Sequence, residues 1–452
     1  MSKRFFGTDG VRGVANQEPI TAETVLKLGK AVAKIVDQSV AKNCRRILIG
    51  RDTRISGHML EMALAAGICS MGTDVVLVGD MPTPAVAFLT TDMMCDAGAV
   101  ISASHNPFED NGIKFFDNRG FKLDDEQELA IESLLASETI GQTLSNKTHL
   151  GQVLKLEDAL GRYLVFLKNS LPRGASGLKG LKIVVDCANG AGFKAAPKVF
   201  QELGAEVISL STHPDGKNIN LDCGSLHPER MSKVVLENGA SFGVALDGDS
   251  DRSIFADEKG NVVDGDQIMG MVAVDMFERG LLKRDTLVAT VMSNVGLEIS
   301  MKNRGILVVR TQVGDRNVVE KMLTDGYNFG GEQSGHLVFF DHSTTGDGIL
   351  SALQVGSIMK RTSKPLSELT GWIKKFPQIL RNLPISCKKN FEEVPMVRNV
   401  IRDCQRRLGE SGRILVRYSG TQPLCRVMVE GEDLELVQNI VEEVSDALVR
   451  SM

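Results

Sequence analysis

Short apolar runs that stop at a polar turn, pass into a helix-length segment and return to a second apolar run recur three times along the chain. The first occurrence starts with Arg46 to Gly50, turns at Arg51-Asp52-Thr53-Arg54, continues as a helix over His58 to Met71 and ends with Thr73 to Val78. The second leads from Lys182-Ile183-Val184-Val185-Asp186 through Gly190-Ala191-Gly192 and a helix to Ala205 to Ile208. The third passes from Leu287 to Val291, by way of Ser293-Asn294 and a helix, to Gly305 to Val309. Units of this length pair their strands in parallel through right-handed crossovers. Three of them predict three related α/β domains with mixed sheets. Beyond Phe376-Pro377 the pattern changes. Strands near Gly412 to Val416 and Cys425 to Val429, then a helix over Leu434 to Arg450, predict a smaller C-terminal α+β domain. Polar, turn-rich stretches at Ser137 to Gly151, Ser170 to Gly177 and Lys360 to Pro365 mark the joints. The expected domains are residues 1–155, 156–254, 255–368 and 369–452, with the active site in the central cleft.

Composition narrows the choice of ligand. A net charge of −5 supplies no basic field for nucleic acid or an anionic membrane, so an anionic ligand has to be held by local Arg and Lys. The eight cysteines form no Cys-x-x-Cys pair, Met1 to Gly10 has no apolar signal core, and no 18-residue apolar run occurs later. Together these favour a cytoplasmic protein.

Four loops carry candidate chemistry. Asp247-Gly248-Asp249-Ser250-Asp251-Arg252 sets three carboxylates at alternate positions. Like charges this close raise one another's pKa unless a cation sits among them, and hard divalent cations such as Mg²⁺ take oxygen ligands. Counted from Asp247 the spacing imitates an EF-hand as far as Glu258 at position 12, but Arg252 takes the place of the glycine at position 6. The flanks, Ser241 to Leu246 and Ser253 to Ala256, read as strands, which leaves a Mg²⁺ loop or a plain acidic turn. Ser102-Ala103-Ser104-His105-Asn106-Pro107 follows the apolar Ala97 to Val100, at a strand end where α/β proteins place ligands. It offers a hydroxyl nucleophile, or else a capped Asn-Pro turn. Glu332-Gln333-Ser334-Gly335-His336 sets acceptors and donors side by side, as a polyol requires, or else is a solvated polar loop. Arg417-Tyr418-Ser419-Gly420-Thr421-Gln422-Pro423, with Arg426 beyond, is suited to an oxyanion or to a simple hairpin turn. Gly190-Ala191-Gly192-Phe193-Lys194-Ala195 imitates a dinucleotide fingerprint but lacks the acidic residue after the next strand, so it reads as a tight turn.

In this order, together with Phe6-Gly7-Thr8-Asp9-Gly10-Val11-Arg12-Gly13, these loops resemble the α-D-phosphohexomutase family over essentially the whole chain. Gln333 and the N-terminal signature are more similar to its glucosamine branch than to its glucose/mannose branch, and Gln422 departs from the family's usual Glu. The resemblance implies that Ser104 is a phosphoserine, and that its phosphate with Asp247, Asp249 and Asp251 binds one Mg²⁺ per chain. It implies interconversion of glucosamine 6-phosphate and glucosamine 1-phosphate through glucosamine 1,6-bisphosphate, which would supply UDP-N-acetylglucosamine synthesis. Arg12, Lys114 or His336 would handle the proton, with His105 and Arg252 close by. Glu332 and Ser334 would hold the sugar, and Arg417, Ser419, Gly420, Thr421 and Arg426 a phosphate. The implied partner is a small sugar phosphate, with a homodimer and an activating kinase or autophosphorylation left open. A phosphoglucomutase/phosphomannomutase, or a silent sugar-phosphate sensor, are the alternatives.

Overall fold

The apolar runs read from the pattern are strands, and all four motif loops leave from strand ends. In the computed structural model of the chain the described residues are 5–7, 9–39, 45–137, 140, 149–172, 177–384, 394–418 and 424–451. Most of the joint at Ser137 to Gly151, and residues 173–176 of the next, lie outside them. The chain divides into two units, Met1–Val291 with Val309–Thr370, and Met292–Val308 with Gly371–Met452.

A seven-stranded sheet has the order Phe6–Gly7, Gly10–Val14, Asp110–Asp117, Ala97–Ile101, Arg46–Arg51, Asp74–Asp80, Val153–Lys155. Its centre is parallel, and Asp110–Asp117 runs antiparallel to Ala97–Ile101. Ile47, Ile49 and Ile113 on its strands, with Leu64 and Ile68 from the helix Gly57–Cys69, are fully buried in its core. Burying each such side chain contributes about 2 kcal/mol. A five-stranded sheet has the order Val262–Val263, Ser253–Ala256, Phe242–Leu246, Lys182–Asp186, Glu206–Leu210. A four-stranded sheet runs Leu307–Thr311, Thr286–Thr290, Phe329–Gly331, Leu337–Phe339. The second unit contains an antiparallel sheet of Gln378–Pro384, Leu424–Glu430 and Arg413–Tyr418. The helices Pro395–Leu408 and Leu434–Ser451 cover it, with Val397, Ile440 and Val444 fully buried. Both connections Arg46–Arg51 to Asp74–Asp80 and Lys182–Asp186 to Glu206–Leu210 are parallel, as their helical crossovers require.

Two details fix the loops. The acidic loop joins Phe242–Leu246 to Ser253–Ala256, which pair antiparallel, so no helix flanks it and the EF-hand reading fails on structure as well. The fingerprint-like Gly190 is a point of close approach. A Cβ on it would lie 2.3 Å from the Gly248 carbonyl oxygen, so the turn is there to let two backbones meet. Among the described residues no helix is long and apolar enough to cross a membrane.

Candidate active site

Ser104 is buried at 1% exposure and sits in the left-handed region at φ 52°. A non-glycine residue there costs about 1 kcal/mol or more, so the surroundings have to hold it. They do so through its own backbone. Its amide donates to Ser102 Oγ at 2.9 Å, and Ser102 Oγ in turn donates to Asp52 Oδ2 at 2.5 Å. Its carbonyl accepts from Arg54 Nη2 and from Asn220 Nδ2, each at 2.9 Å. Arg54 also holds the carbonyls of Asn106, Pro107 and Asp110, and its Nε donates to Asp52 Oδ2 at 2.9 Å. One fully buried guanidinium thus organises the whole turn. From the other side, Gly248 has no room for a side chain, since a Cβ would lie 2.4 Å from the Ser104 carbonyl oxygen.

That approach brings the hydroxyl to the acids. Ser104 Oγ donates to Asp247 Oδ2 at 2.5 Å, across 143 residues of sequence. Asp247, Asp249 and Asp251 are buried, and one carboxylate oxygen of each lies within 4.8 Å of the others. Burial, then the Asp251 and Asp249 carboxylates, push Asp247 well above the usual range. Burial pushes Asp249 up as well, but the Lys114 ammonium at 3.0 Å and the Thr83 hydroxyl at 2.6 Å hold it below that range. Asp249 Oδ1 and Asp251 Oδ1 are buried without a hydrogen-bond partner among the described residues. Orphaned carboxylate oxygens converging in a dry site are what a hard divalent cation satisfies, so the residues fit Mg²⁺.

Cations ring the cluster. Lys114 is buried in the strand Asp110–Asp117 and reaches Asp9 Oδ2 at 3.0 Å and Asp251 Oδ2 at 3.7 Å. Burial disfavours its charge, but the three carboxylates win and raise its pKa. Arg12 pairs with Asp9 and reaches the Ala103 carbonyl at 3.5 Å. His105 Nδ1 lies 3.5 Å from Ser104 Oγ and 3.3 Å from Arg252 Nη1. Burial, then the charges of Arg252 and Arg12, bring His105 down to about 4, so the ring is neutral near pH 7.

The sugar-loop residues join the same unit. Glu332 Oε1 accepts from the Gly314 amide at 3.0 Å. His336 is 2% exposed, and its Nε2 lies 3.5 Å from Asp315 Oδ2 and 3.9 Å from Asp251 Oδ2. Neither of its ring nitrogens has a hydrogen-bond partner among the described residues. Ser334 is exposed. In the second unit Arg417 and Arg426 stand directly opposite on antiparallel strands, and burial followed by the Arg426 charge holds Arg417 below its usual value. Like charges paired across strands are unfavourable without an anion between them. Ser419, Gly420, Thr421 and Gln422 lie outside the described residues. A separate cavity of about 310 Å³, lined by residues such as Asp275, Met276 and Gln354, includes none of the residues above.

Residues 3–141 match phosphoglucomutase/phosphomannomutase alpha/beta/alpha domain I, 161–260 domain II, 264–376 domain III and 380–447 the C-terminal domain. A phosphoglucosamine mutase of Geobacter sp. (strain M21) is 58% identical over 431 residues, covering 95% of this chain and 94% of that protein. The chain belongs to the phosphoglucomutase/phosphomannomutase family. The phosphoglucosamine mutase of Syntrophotalea carbinolica is 53% identical over 452 residues, covering 100% of this chain and 98% of its own. In fold, the chain is similar to a phosphoglucomutase/phosphomannomutase family protein from Burkholderia thailandensis, with TM-score 0.82, 23% identity, and 99% and 97% of the two chains covered. The family's members are isomerases, and these two relatives, matched over nearly full length, are phosphoglucosamine mutases.

The structure brings more residues to these loops than the motifs announce. Asp52, Arg54, Thr83, Asn220, Lys122 and Asp315 were not among the candidates. The turn Arg51-Asp52-Thr53-Arg54 carried a signal, since a charge-dense turn at a strand end resists burial unless its charges are used. Lys122, which bridges Asp9 at 2.6 Å and Asp315, had none. The neutral His105 carries a testable sign. Its folded pKa, about 4, lies below its ordinary 6.5. Stability linked to it is therefore fully present above about pH 6.5 and is lost as pH falls towards 4. His105→Gln should flatten that part of the stability–pH curve in denaturant titrations, and an unchanged slope would refute it.

Proposed function

We propose that this chain interconverts glucosamine 6-phosphate and glucosamine 1-phosphate, with Ser104 as the residue that carries the phosphoryl group. The observation that carries the reading is the Ser104 hydroxyl, held in a strained turn 2.5 Å from a triad of buried carboxylates. Asp247, Asp249 and Asp251, with the phosphate on Ser104, would hold Mg²⁺, which supplies charge neutralisation to a transferring phosphoryl group. In the forward direction the Ser104 oxygen–phosphorus bond breaks as the sugar's 1-oxygen takes the phosphoryl group, and the proton of the 1-hydroxyl passes to the freed Ser104 oxygen, leaving glucosamine 1,6-bisphosphate. After the sugar turns round, the bond from the 6-oxygen to phosphorus breaks as Ser104 takes that phosphoryl group, and the serine proton passes to the 6-oxygen. Lys114, Arg12 and Arg252 supply fixed positive charge around that serine. His336, buried beside Asp315 with neither ring nitrogen hydrogen-bonded among the described residues, is the candidate for the proton. Glu332 accepts sugar hydroxyls, and Arg417 and Arg426 are assigned phosphate binding within their own unit. The described cysteines are free thiols, which supports a reducing, cytoplasmic setting.

The sugar is assigned from the relatives at 53% and 58% identity. Turnover of glucosamine, glucose and mannose 6-phosphates tests it directly. kcat/KM should favour glucosamine 6-phosphate by roughly tenfold or more, because a site built for a polar substituent rejects analogues that leave its groups unpaired. A preference for mannose 6-phosphate would overturn the assignment.

A further inference from the structure

Two helix starts grip the backbone of the acidic loop. The amide of Thr83, which opens the helix Thr83–Asp92, donates to the Asp249 carbonyl at 2.9 Å, and its hydroxyl donates to Asp249 Oδ2 at 2.6 Å. The amide of Gly348, which opens the helix Gly348–Thr362, donates to the Ser250 carbonyl at 3.0 Å. Ser250 lies between the second and third carboxylates with φ 61°, a conformation that needs holding. The position of Gly348 depends on Asp347 before it. Asp347 is 1% exposed, and its Oδ1 accepts from the amides of Ile349 at 3.0 Å and Leu350 at 2.9 Å. Its other oxygen, Oδ2, accepts from the hydroxyl of Tyr163 at 2.8 Å.

Tyr163 is fully buried, on the helix Ala159–Asn169, and one turn on from it is Phe166. Phe166 stacks on Phe88 of the Thr83–Asp92 helix, with centroids 4.3 Å apart. The same short helix therefore ties together both elements whose first amides hold the loop. A capping aspartate needs only one oxygen for its cap, as at Asp124, whose Oδ1 accepts from the Gln127 amide. At Asp347 the second oxygen is turned inward to a buried phenol instead.

We propose that Tyr163 and Asp347 are positioning residues for the metal site, setting through Gly348 and Ser250 the distance at which Asp249 and Asp251 converge. The inference rests on the Mg²⁺ reading above. Neither residue hydrogen-bonds to the three acids, and only the Asp347 carboxylate lies near enough to one of them, Asp251, to feel its charge, so their effect belongs to metal affinity and not to sugar binding. Groups bonded directly to the ligands of a metal are worth about tenfold to a hundredfold in metal affinity when removed, and residues one step further out should come at the lower end of that range.

Tyr163→Phe deletes one hydroxyl and leaves the helix cap intact. Mg²⁺ binding to the purified full chain, without sugar, is measured by isothermal titration calorimetry, alongside the Mg²⁺ dependence of turnover. The variant should bind Mg²⁺ about tenfold more weakly, and its half-saturating Mg²⁺ should rise by the same factor. KM for the sugar phosphate at saturating Mg²⁺ should not move. Asp347→Asn, which keeps the capping acceptor, should shift Mg²⁺ in the same direction and serves if the tyrosine variant fails to fold. Mg²⁺ affinity within about twofold of the parent in a folded variant overturns the proposal, as does an equal loss of metal and sugar affinity. If the parent itself binds no Mg²⁺, the metal assignment fails and this inference with it. If the parent binds and Tyr163→Phe binds equally well, only the positioning role fails.

Discussion

Ser104→Ala is expected to lower turnover by on the order of 10⁴-fold or more, because the phosphoryl group has no other residue to wait on. The change removes one oxygen from a turn held by its backbone, so the fold should survive. The carbonyl of residue 104 keeps Arg54 and Asn220, and its amide keeps Ser102. Intact-protein mass should show a phosphoryl adduct on the parent and none on the variant. Ser104→Gly supplies a control, since glycine relieves the strain at φ 52° by about 1 kcal/mol and should be as inactive as alanine while more stable. Full activity of Ser104→Ala with glucosamine 1,6-bisphosphate present would rule out a covalent phosphoserine route.

Arg54→Met is expected to be the most damaging change away from the reacting atoms. Arg54 and Asp52 form an ion pair with both side chains fully buried, and removing one partner of such a pair costs about 3–5 kcal/mol. The loss goes beyond the pair, because Ser104, Asn106, Pro107 and Asp110 would each lose a donor to their carbonyls. Burial already raises the pKa of Asp52 against the pull of Arg54, so without the guanidinium the acid should take up a proton. A misplacement of Ser104 by an ångström would cost roughly 100-fold in turnover on top of the stability loss. Arg54→Lys should recover little, as a point charge cannot serve four carbonyls and a carboxylate in one plane. Urea unfolding and single-turnover rates together test this. A variant within about 1 kcal/mol of the parent that transfers phosphate normally would show that the turn holds itself.

Much of the chemistry was legible because each loop is local. Three aspartates at alternate positions can be read as a cation site from six residues, since carboxylates that close repel wherever the chain puts them. Its EF-hand appearance was a coincidence of spacing, and one residue, Arg252, was enough to dismiss it. The Gly190 fingerprint was dismissed for want of a distant acid, and the structure shows what the glycine does instead, which is to let its turn press on Gly248. Lys114 drew notice only through the family resemblance, because a lysine in an apolar strand carries no local signal of its partners. Asn220, Thr83 and Asp347 were invisible for the same reason, and of Asp52 only its charge-dense turn showed, not its bond to Ser102. Each acts on a residue between 50 and 184 positions away or through a helix end, and no window of sequence contains both partners.

The division follows from the physics of the two levels. Local repulsion, turn geometry and the period of apolar positions are properties of neighbouring residues, and by themselves they determined the strand–helix–strand units and the loops at strand ends. Which carboxylate meets the Ser104 hydroxyl, that Asp247 is pushed up while Asp249 is held down, and that His105 is neutral are all consequences of burial and of charges brought together by packing. Desolvation and Coulomb interaction depend on distance in space, so those properties exist only once the sheets have folded and set the serine loop against the acids.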